Sequence, residues 1–484
     1  MSSSVGRART RAARAPARFD AREAIFAILS RVEAGGAFAN ILLYHTLGRS
    51  GVTATDQAFI TEVVLGTLRQ QGRLDYALAA ALNRPLASLP PAIRTLLRLG
   101  LYQILFLDRV PDAAAVHATV EAAKRHGHAG TVRLVNAVLR RLAAQGEPAP
   151  PAMDADPAGH LAVVHSHPRW LVERWLARWG LAETRALCVA DNVPPPSMLR
   201  VNRLRATPEA VAARLGDRGV SVSTGGLPES LRVHGTLLLR LDLYHEGLVT
   251  MQDEGSMHAA RLLAPQPGET VLDAAAGTGG KATHLAELMA DRGRVIALDV
   301  RPAKLRGLSA HCARLGINIV EAHHLDAREA GRRFHGQADR VLLDAPCSGL
   351  GVIRRRPEIR WRVGPETLRA AAAYQRELLA GSADAVRAGG ILVYAVCSTE
   401  PEEGPEVIRA FLGRRGDFRL EEERWLLPHR DGTDGFFLGR LQRTGASGPT
   451  TPTARRAQGR GTARRTENAR GGQPRRRSAP RRLR

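Results

Sequence analysis

The feature that most constrains this chain is the change of hydrophobic period near residue 246. From there to about 443, short apolar runs alternate with helical patterns. "ETVLDAAAG", "RVIALDV", "NIVEAHHLD", "DRVLLDAP" and "GILVYAVC" read as strands separated by helices such as "PAKLRGLSAHCARLG" and a long one near 366–388. Continuous apolar strands joined by helices require a parallel sheet covered on both faces. The final "GFFLGRLQ" is expected to be an antiparallel strand closing the sheet edge.

Before that point the period is different. From about 20 to 145 the apolar spacing is helical, as in Ile25, Ile28, Leu29, Val32 and in Ile93, Leu96, Leu97, Leu101, Ile104. This predicts an all-α bundle over 19–146, ending in "TVRLVNAVLRRL" and followed by a linker at Pro148, Pro150 and Pro151. Residues 155–245 mix helical and β-like patterns and read as a small α+β connecting domain, in which His167, Trp170 and Trp175 are packing residues. The expected fold is thus multidomain: bundle, connecting domain, then an α/β Rossmann-like sheet over 246–443.

Composition limits the class. The chain has 484 residues, 44% of them hydrophobic, enough for several cores. Its longest apolar run, "LLRLGLYQILFL", is too short for a bilayer and is interrupted by Arg98 and Gln103. Four cysteines without a C-x-x-C pair give neither a disulfide framework nor zinc spacing, so no metal is expected and a reducing cytoplasm is the default location. Much of the net charge of +23 lies at the ends: five arginines and no acid in 1–18, twelve arginines against Glu467 in 445–484. The first arm also matches a mitochondrial transit peptide, but an arginine excess throughout the chain favours a plain disordered arm. The Arg-rich tail reads as disordered, with salt-sensitive affinity for polyanions.

Three acids mark the rim of the sheet. "LDAAAGTGGKATHLAE" ends a strand in small residues and opens a helix, so that backbone amides over Ala275, Ala276, Gly277, Thr278, Gly279, Gly280 and Lys281 can approach a ligand. Asp299 ends the next strand, where a carboxylate accepts both hydroxyls of a ribose. A nucleoside cofactor follows. The loop is not G-x-G-x-x-G and Asp326 ends a third strand, which favours S-adenosylmethionine over a dinucleotide. At the ends of two further strands stand Asp344 with Cys347, in "DAPC", and Cys397, in "AVCS". Cys188 and Cys312 read as inert core. Two thiols at one rim suit addition to a pyrimidine: a thiolate at carbon 6 makes carbon 5 nucleophilic, and a second ionisable group assists release. Lys281, one of three lysines, is placed to lower a thiol pKa, and Asp344 to hold the amidine edge of a cytosine or the cofactor. Which thiol attacks is open on chemistry alone. Arg354, Arg355, Arg356 and Arg360 are candidates for holding phosphates.

Across 20–443 the chain resembles the RsmB (Fmu/Sun) family of 16S rRNA cytosine-5 methyltransferases. The resemblance is carried by "DRVPDAAAVHATVEAAKRHG", "VRLVNAVLRR", "SHPRWL", "LRVN", "TMQDEGSMHAARLL", "LDAAAGTGGKATH", "LLDAPCSGLGVIRRRPEIRW" and "LVYAVCSTEPEE". It implies a NusB-like RNA-binding bundle and a class I catalytic domain using S-adenosylmethionine. It further implies cofactor contacts at Ala275 to Lys281, Asp299, Asp326 and Asp344, attack by Cys397 and product release by Cys347. The substrate implied is 16S rRNA, free or in an assembling small subunit, acted on by a monomer. Where the family has Cys-Ala-Ala-Pro-Gly-Gly-Lys, this chain has Ala275-Ala276-Gly277-Thr278-Gly279-Gly280-Lys281, and Val396 replaces the usual Thr. The competing readings are the same chemistry on tRNA or another RNA, a nicotinamide oxidoreductase and a non-catalytic RNA scaffold.

Overall fold

The structure, a computed structural model, describes residues 19–234 and 242–445. The terminal arms beyond residues 18 and 445, and part of the β-like stretch near "ESLRVHGTLLLRL", lie outside the described residues.

Seven helices form the bundle: α1 (Ala21–Glu33), α2 (Ala39–Leu47), α3 (Ala54–Arg69), α4 (Gln71–Ala81), α5 (Pro91–Phe106), α6 (Asp112–His126) and α7 (Ala129–Gln145). Their starts follow local chemistry. Asp20 accepts from the first amides of α1, and Thr53 and Asp56 form a reciprocal capping box on α3. Helix α5 is the central element, with Leu96, Leu97 and Leu101 fully buried beside Ile25, Ile60, Val64 and Val135. Arg98 interrupts its apolar run yet is itself buried, because Asp75 and Glu33 both accept from its guanidinium, Asp75 at 2.6 Å. Helices α3 and α5 meet closely: a Cβ at Gly66 would fall 1.9 Å from the Tyr102 hydroxyl.

Next come α8 (Pro157–Val164) and α9 (Arg169–Ala190), the latter broken at Gly180, whose φ of 74° suits glycine. Strands β1 (Ser197–Val201), β2 (Val222–Thr224), β3 (Ser230–Val233) and β4 (Val249–Met251) form an antiparallel sheet in the order β2-β3-β1-β4. Strand β4 lies beyond residue 245, so the connecting sheet takes its last strand from the segment expected to open the catalytic domain.

The large sheet contains β5 (Thr270–Asp273), β6 (Arg294–Asp299), β7 (Val320–His324), β8 (Ala338–Asp344), β9 (Val386–Val396), β10 (Phe418–Leu426) and β11 (Phe436–Arg443), ordered β10-β11-β9-β8-β5-β6-β7. Strands β5 to β9 pair in parallel, and both faces are covered: Leu272, Val341 and Leu392 pack on one side, Val271, Leu342 and Val393 on the other. Chain order reverses between β5 and β8, the switch point where such sheets hold ligands. One expectation is corrected. Strand β11 is not the edge; it is inserted between β9 and β10. The edge is β10, "FRLEEERWL", whose charges suit an exposed strand and obscure it as a strand in sequence. Among the described residues no helix is long and apolar enough to cross a membrane.

Candidate active site

The parallel register of β8 and β9 sets Asp344 beside Ala395, so the loops leaving both strands emerge together. Ala345 donates its N–H to the Ala395 carbonyl at 2.9 Å, and Gly351 donates to the Cys397 carbonyl at 3.0 Å. The result is a Cys347 Sγ to Cys397 Sγ distance of 3.2 Å. Gly351 permits this approach, since a Cβ there would lie 2.0 Å from the Gly435 carbonyl oxygen.

Glu403, fully buried, fixes the two loops to each other. Its carboxylate accepts from the Ser348 N–H at 2.7 Å and from the hydroxyls of both Ser348 and Ser398, the residues after the two cysteines. Gln375 adds a bond to the same carboxylate and another, at 2.9 Å, to the Pro346 carbonyl. Glu403 was not among the expected site residues; its signal is the acid run that follows the second Cys-Ser.

A cleft of about 610 Å³ lies over this pair. It is lined by Ala275, Ala276, Gly277, Thr278, Gly280, Lys281, Asp299, Asp344, Cys347 and Cys397. Lys281 Nζ donates to Asp344 Oδ2 at 2.6 Å. Burial works against the Lys281 charge, but the Asp344 carboxylate outweighs it and holds the ammonium above its ordinary range. The hydrogen bond with Cys397 and burial push the Cys347 thiol well above its ordinary value.

The cofactor loop is built for close approach. Gly277 and Gly279 have φ of 60° and 90°, and a Cβ on Gly277 or Gly280 would enter open space, the room a ligand backing onto the loop needs. Asp299 accepts from the Gly277 and Arg301 N–H groups and faces the cleft, placed to take hydroxyls. These residues fit a nucleoside with an anionic or zwitterionic tail. Gly279 is on the loop but faces Leu308. Asp326 does not line the cleft; it caps the turn after β7 and pairs with Arg328 at 2.9 Å.

Beneath the loop, Asp273 is completely buried, and desolvation, with the Asp344 carboxylate adding to it, pushes it up to about 7 from an ordinary 3.8. The folded state therefore holds this proton more tightly than the unfolded chain, and the associated stability is lost as pH rises from about 4 through about 7. Asp273→Asn is expected to match wild type in unfolding free energy below about pH 4 and to exceed it at pH 8, by on the order of a few kcal/mol. Thermal unfolding across that range checks it; a difference independent of pH would refute it.

Of the four arginines expected to hold phosphates, Arg354 and Arg360 are buried and Arg355 is partly buried, and all three are engaged within the protein. Arg354 pairs with Asp434 at 2.7 Å, Arg355 with Asp434 and Asp253, and Arg360 donates to the Ser166 carbonyl at 2.8 Å and to Asn192. Each joins segments far apart in the chain, which is why burial does not leave it unpaired. Only Arg356 lines the cleft. His167 and Trp175 are packing residues, Trp175 donating its indole N–H to Glu400 at 2.9 Å. Cys188 and Cys312 are buried in cores.

A second residue outside the sequence expectation is Arg200, in "LRVN". Fully buried, it donates to Glu287 at 2.8 and 3.0 Å, to Thr283 at 2.9 Å and to the Gly280 carbonyl at 2.7 Å, joining the connecting sheet to the helix that carries the cofactor loop.

A parallel sheet with an antiparallel β11 inserted next to β9, a small-residue loop after β5 and an acid at the end of β6 define a class I S-adenosylmethionine-dependent methyltransferase. Residues 260–442 match the family described as "16S rRNA methyltransferase RsmB/F", 20–144 the NusB family and 167–238 the ferredoxin-like domain of RsmF/B-like methyltransferases. A Bacillus subtilis protein named "Probable ribosomal RNA small subunit methyltransferase B" is 37% identical over 88% of this chain and 99% of its own. "Ribosomal RNA small subunit methyltransferase B" of Pseudomonas putida is 36% identical over 89% and 99%. Among solved structures, PH0851 superposes with a TM-score of 0.77 at 30% identity, over 87% of this chain and 98% of that one. NSun6 from Pyrococcus horikoshii, solved with SFG, shares the fold at a TM-score of 0.54 and 22% identity, over 58% and 100%. The chain belongs to the RsmB/F family of small-subunit ribosomal RNA methyltransferases.

Proposed function

We propose that this enzyme methylates carbon 5 of a cytosine in 16S rRNA through a covalent cysteine–cytosine intermediate, with Cys397 as nucleophile. The observation that carries the reading is the pair of sulfurs 3.2 Å apart in the cofactor cleft, beside Lys281 and Asp344. Methylating an exocyclic nitrogen or a ribose oxygen needs no thiol. Carbon 5 does, because it is a poor nucleophile until a thiolate adds to carbon 6.

S-adenosylmethionine, when bound, supplies the electrophilic methyl group. Asp344 accepts from the exocyclic amine of the cytosine and, with Lys281, holds the amidine edge. The Cys397 thiolate forms a bond to carbon 6, and the electrons of the 5,6 double bond move to carbon 5, which takes the methyl. Carbon 5 then loses its proton to a base, for which Cys347 is the adjacent group once ionised. The double bond re-forms and the sulfur–carbon 6 bond breaks. The base must leave its stack to reach the thiols, so a loop or bulge is the favoured target. We read the enzyme as a cytoplasmic monomer acting on free or assembling small-subunit RNA.

The test is transfer of labelled methyl from S-adenosylmethionine to transcribed 16S rRNA, followed by nucleoside digestion. Label in 5-methylcytidine is expected. Label in any other nucleoside, or its absence with both naked RNA and small-subunit particles, refutes the assignment.

A further inference from the structure

The cleft has a wall that does not come from the catalytic domain. Phe38, between α1 and α2 of the bundle, lines it together with Val352, Arg356, Ile359, Arg362 and Val363. The chain reaches that position through Gly35 and Gly36, whose φ of 85° and 78° make a turn that other residues resist. The catalytic domain then grips the turn on both sides of the ring. Arg362 donates to the Val32 and Ala37 carbonyls, each at 2.7 Å, and the Ala39 N–H donates to the buried Glu358 carboxylate at 3.0 Å.

Two guanidiniums lie over the ring, Arg356 at 5.2 Å and Arg362 at 5.6 Å from its centroid. Arg362 is committed to the backbone of the turn. Arg356 is not: among the described residues no carboxylate lies within ion-pair distance of it, in contrast to Arg354 and Arg355 beside it. An aromatic ring held at a cleft wall next to an unneutralised guanidinium has the chemistry of a single-stranded nucleotide, with a face for the base and a cation for the phosphate. The thiols, Lys281 and Asp344 take the target cytosine, which leaves the ledge for its neighbour.

We propose that Phe38 and Arg356 form a subsite for an RNA nucleotide flanking the target base, so that the helical bundle completes the catalytic cleft. This rests on the cytosine-5 reading only for the identity of the target. Phe38 is a positioning residue, acting on the substrate's register and not on the reacting atoms.

Full-length wild type, Phe38→Leu, Phe38→Trp and Arg356→Gln are compared on transcribed 16S rRNA with labelled cofactor. Leucine keeps apolar bulk at the domain junction but has no π face. Phe38→Leu is expected to raise KM for RNA by roughly fivefold to a hundredfold, the scale of losing one stacked base, with cofactor affinity and unfolding midpoint unchanged. Phe38→Trp is expected to restore most of it. Arg356→Gln is expected to flatten the salt dependence of RNA binding by about one phosphate contact. Wild-type KM in Phe38→Leu, or a Phe38→Trp enzyme as impaired as Phe38→Leu, overturns the subsite. If wild type places no methyl on cytosine, the chemistry proposed above fails, and filter binding of the same RNA without cofactor still decides the subsite by whether Phe38→Leu binds more weakly than wild type.

Discussion

Cys397→Ala is expected to lose methyl transfer by roughly 10^4- to 10^6-fold, the scale of removing an enzyme's nucleophile, and to form no covalent complex with RNA. Cys347→Ala is expected to behave differently. Its nucleophile is intact, so bond formation and methyl transfer proceed, but proton removal from carbon 5 lacks its partner and the protein remains attached to RNA. A denaturing gel of each variant with labelled 16S rRNA distinguishes them: a shifted band for Cys347→Ala, none for Cys397→Ala. The reverse pattern would exchange the two roles. The asymmetry follows from the roles proposed for the two sulfurs, which lie 3.2 Å apart with Lys281 as the nearby cation.

The second large effect concerns stability. Arg200→Leu leaves Glu287 inside the protein without its cation, and removing one partner of a buried pair costs about 3–5 kcal/mol. Burial already raises the Glu287 carboxyl above its ordinary range even with Arg200 present. The single variant should therefore unfold at markedly lower temperature or urea concentration, and Arg200→Leu with Glu287→Leu should recover most of the loss. The single variant should also bind cofactor more weakly, because the Gly280 carbonyl at the loop loses its donor. A single variant as stable as wild type would show that the network is dispensable.

The thiol pair is legible in sequence because each cysteine follows a buried strand, and parallel strands deliver their ends to one rim. The cofactor loop is legible for the same reason, together with the small residues that let a ligand approach. What sequence hides is long-range pairing. "RRR" reads as a set of phosphate holders because the acids that neutralise it are remote: Asp434 lies 79 residues from Arg355, and Asp253 lies 102. Asp326 illustrates the converse, since an acid at a strand end is also the ordinary cap of a turn, and here it caps one and pairs with Arg328 two residues on. Phe38 is invisible for a different reason. Nothing in a helical period indicates that the turn between two bundle helices crosses to another domain.

The Glu403 anchor has a mechanical corollary. Because one carboxylate receives the serine hydroxyl behind each sulfur, prying the two loops apart means breaking both of those bonds. The two sulfurs are thereby presented to an incoming base as one unit, 3.2 Å apart.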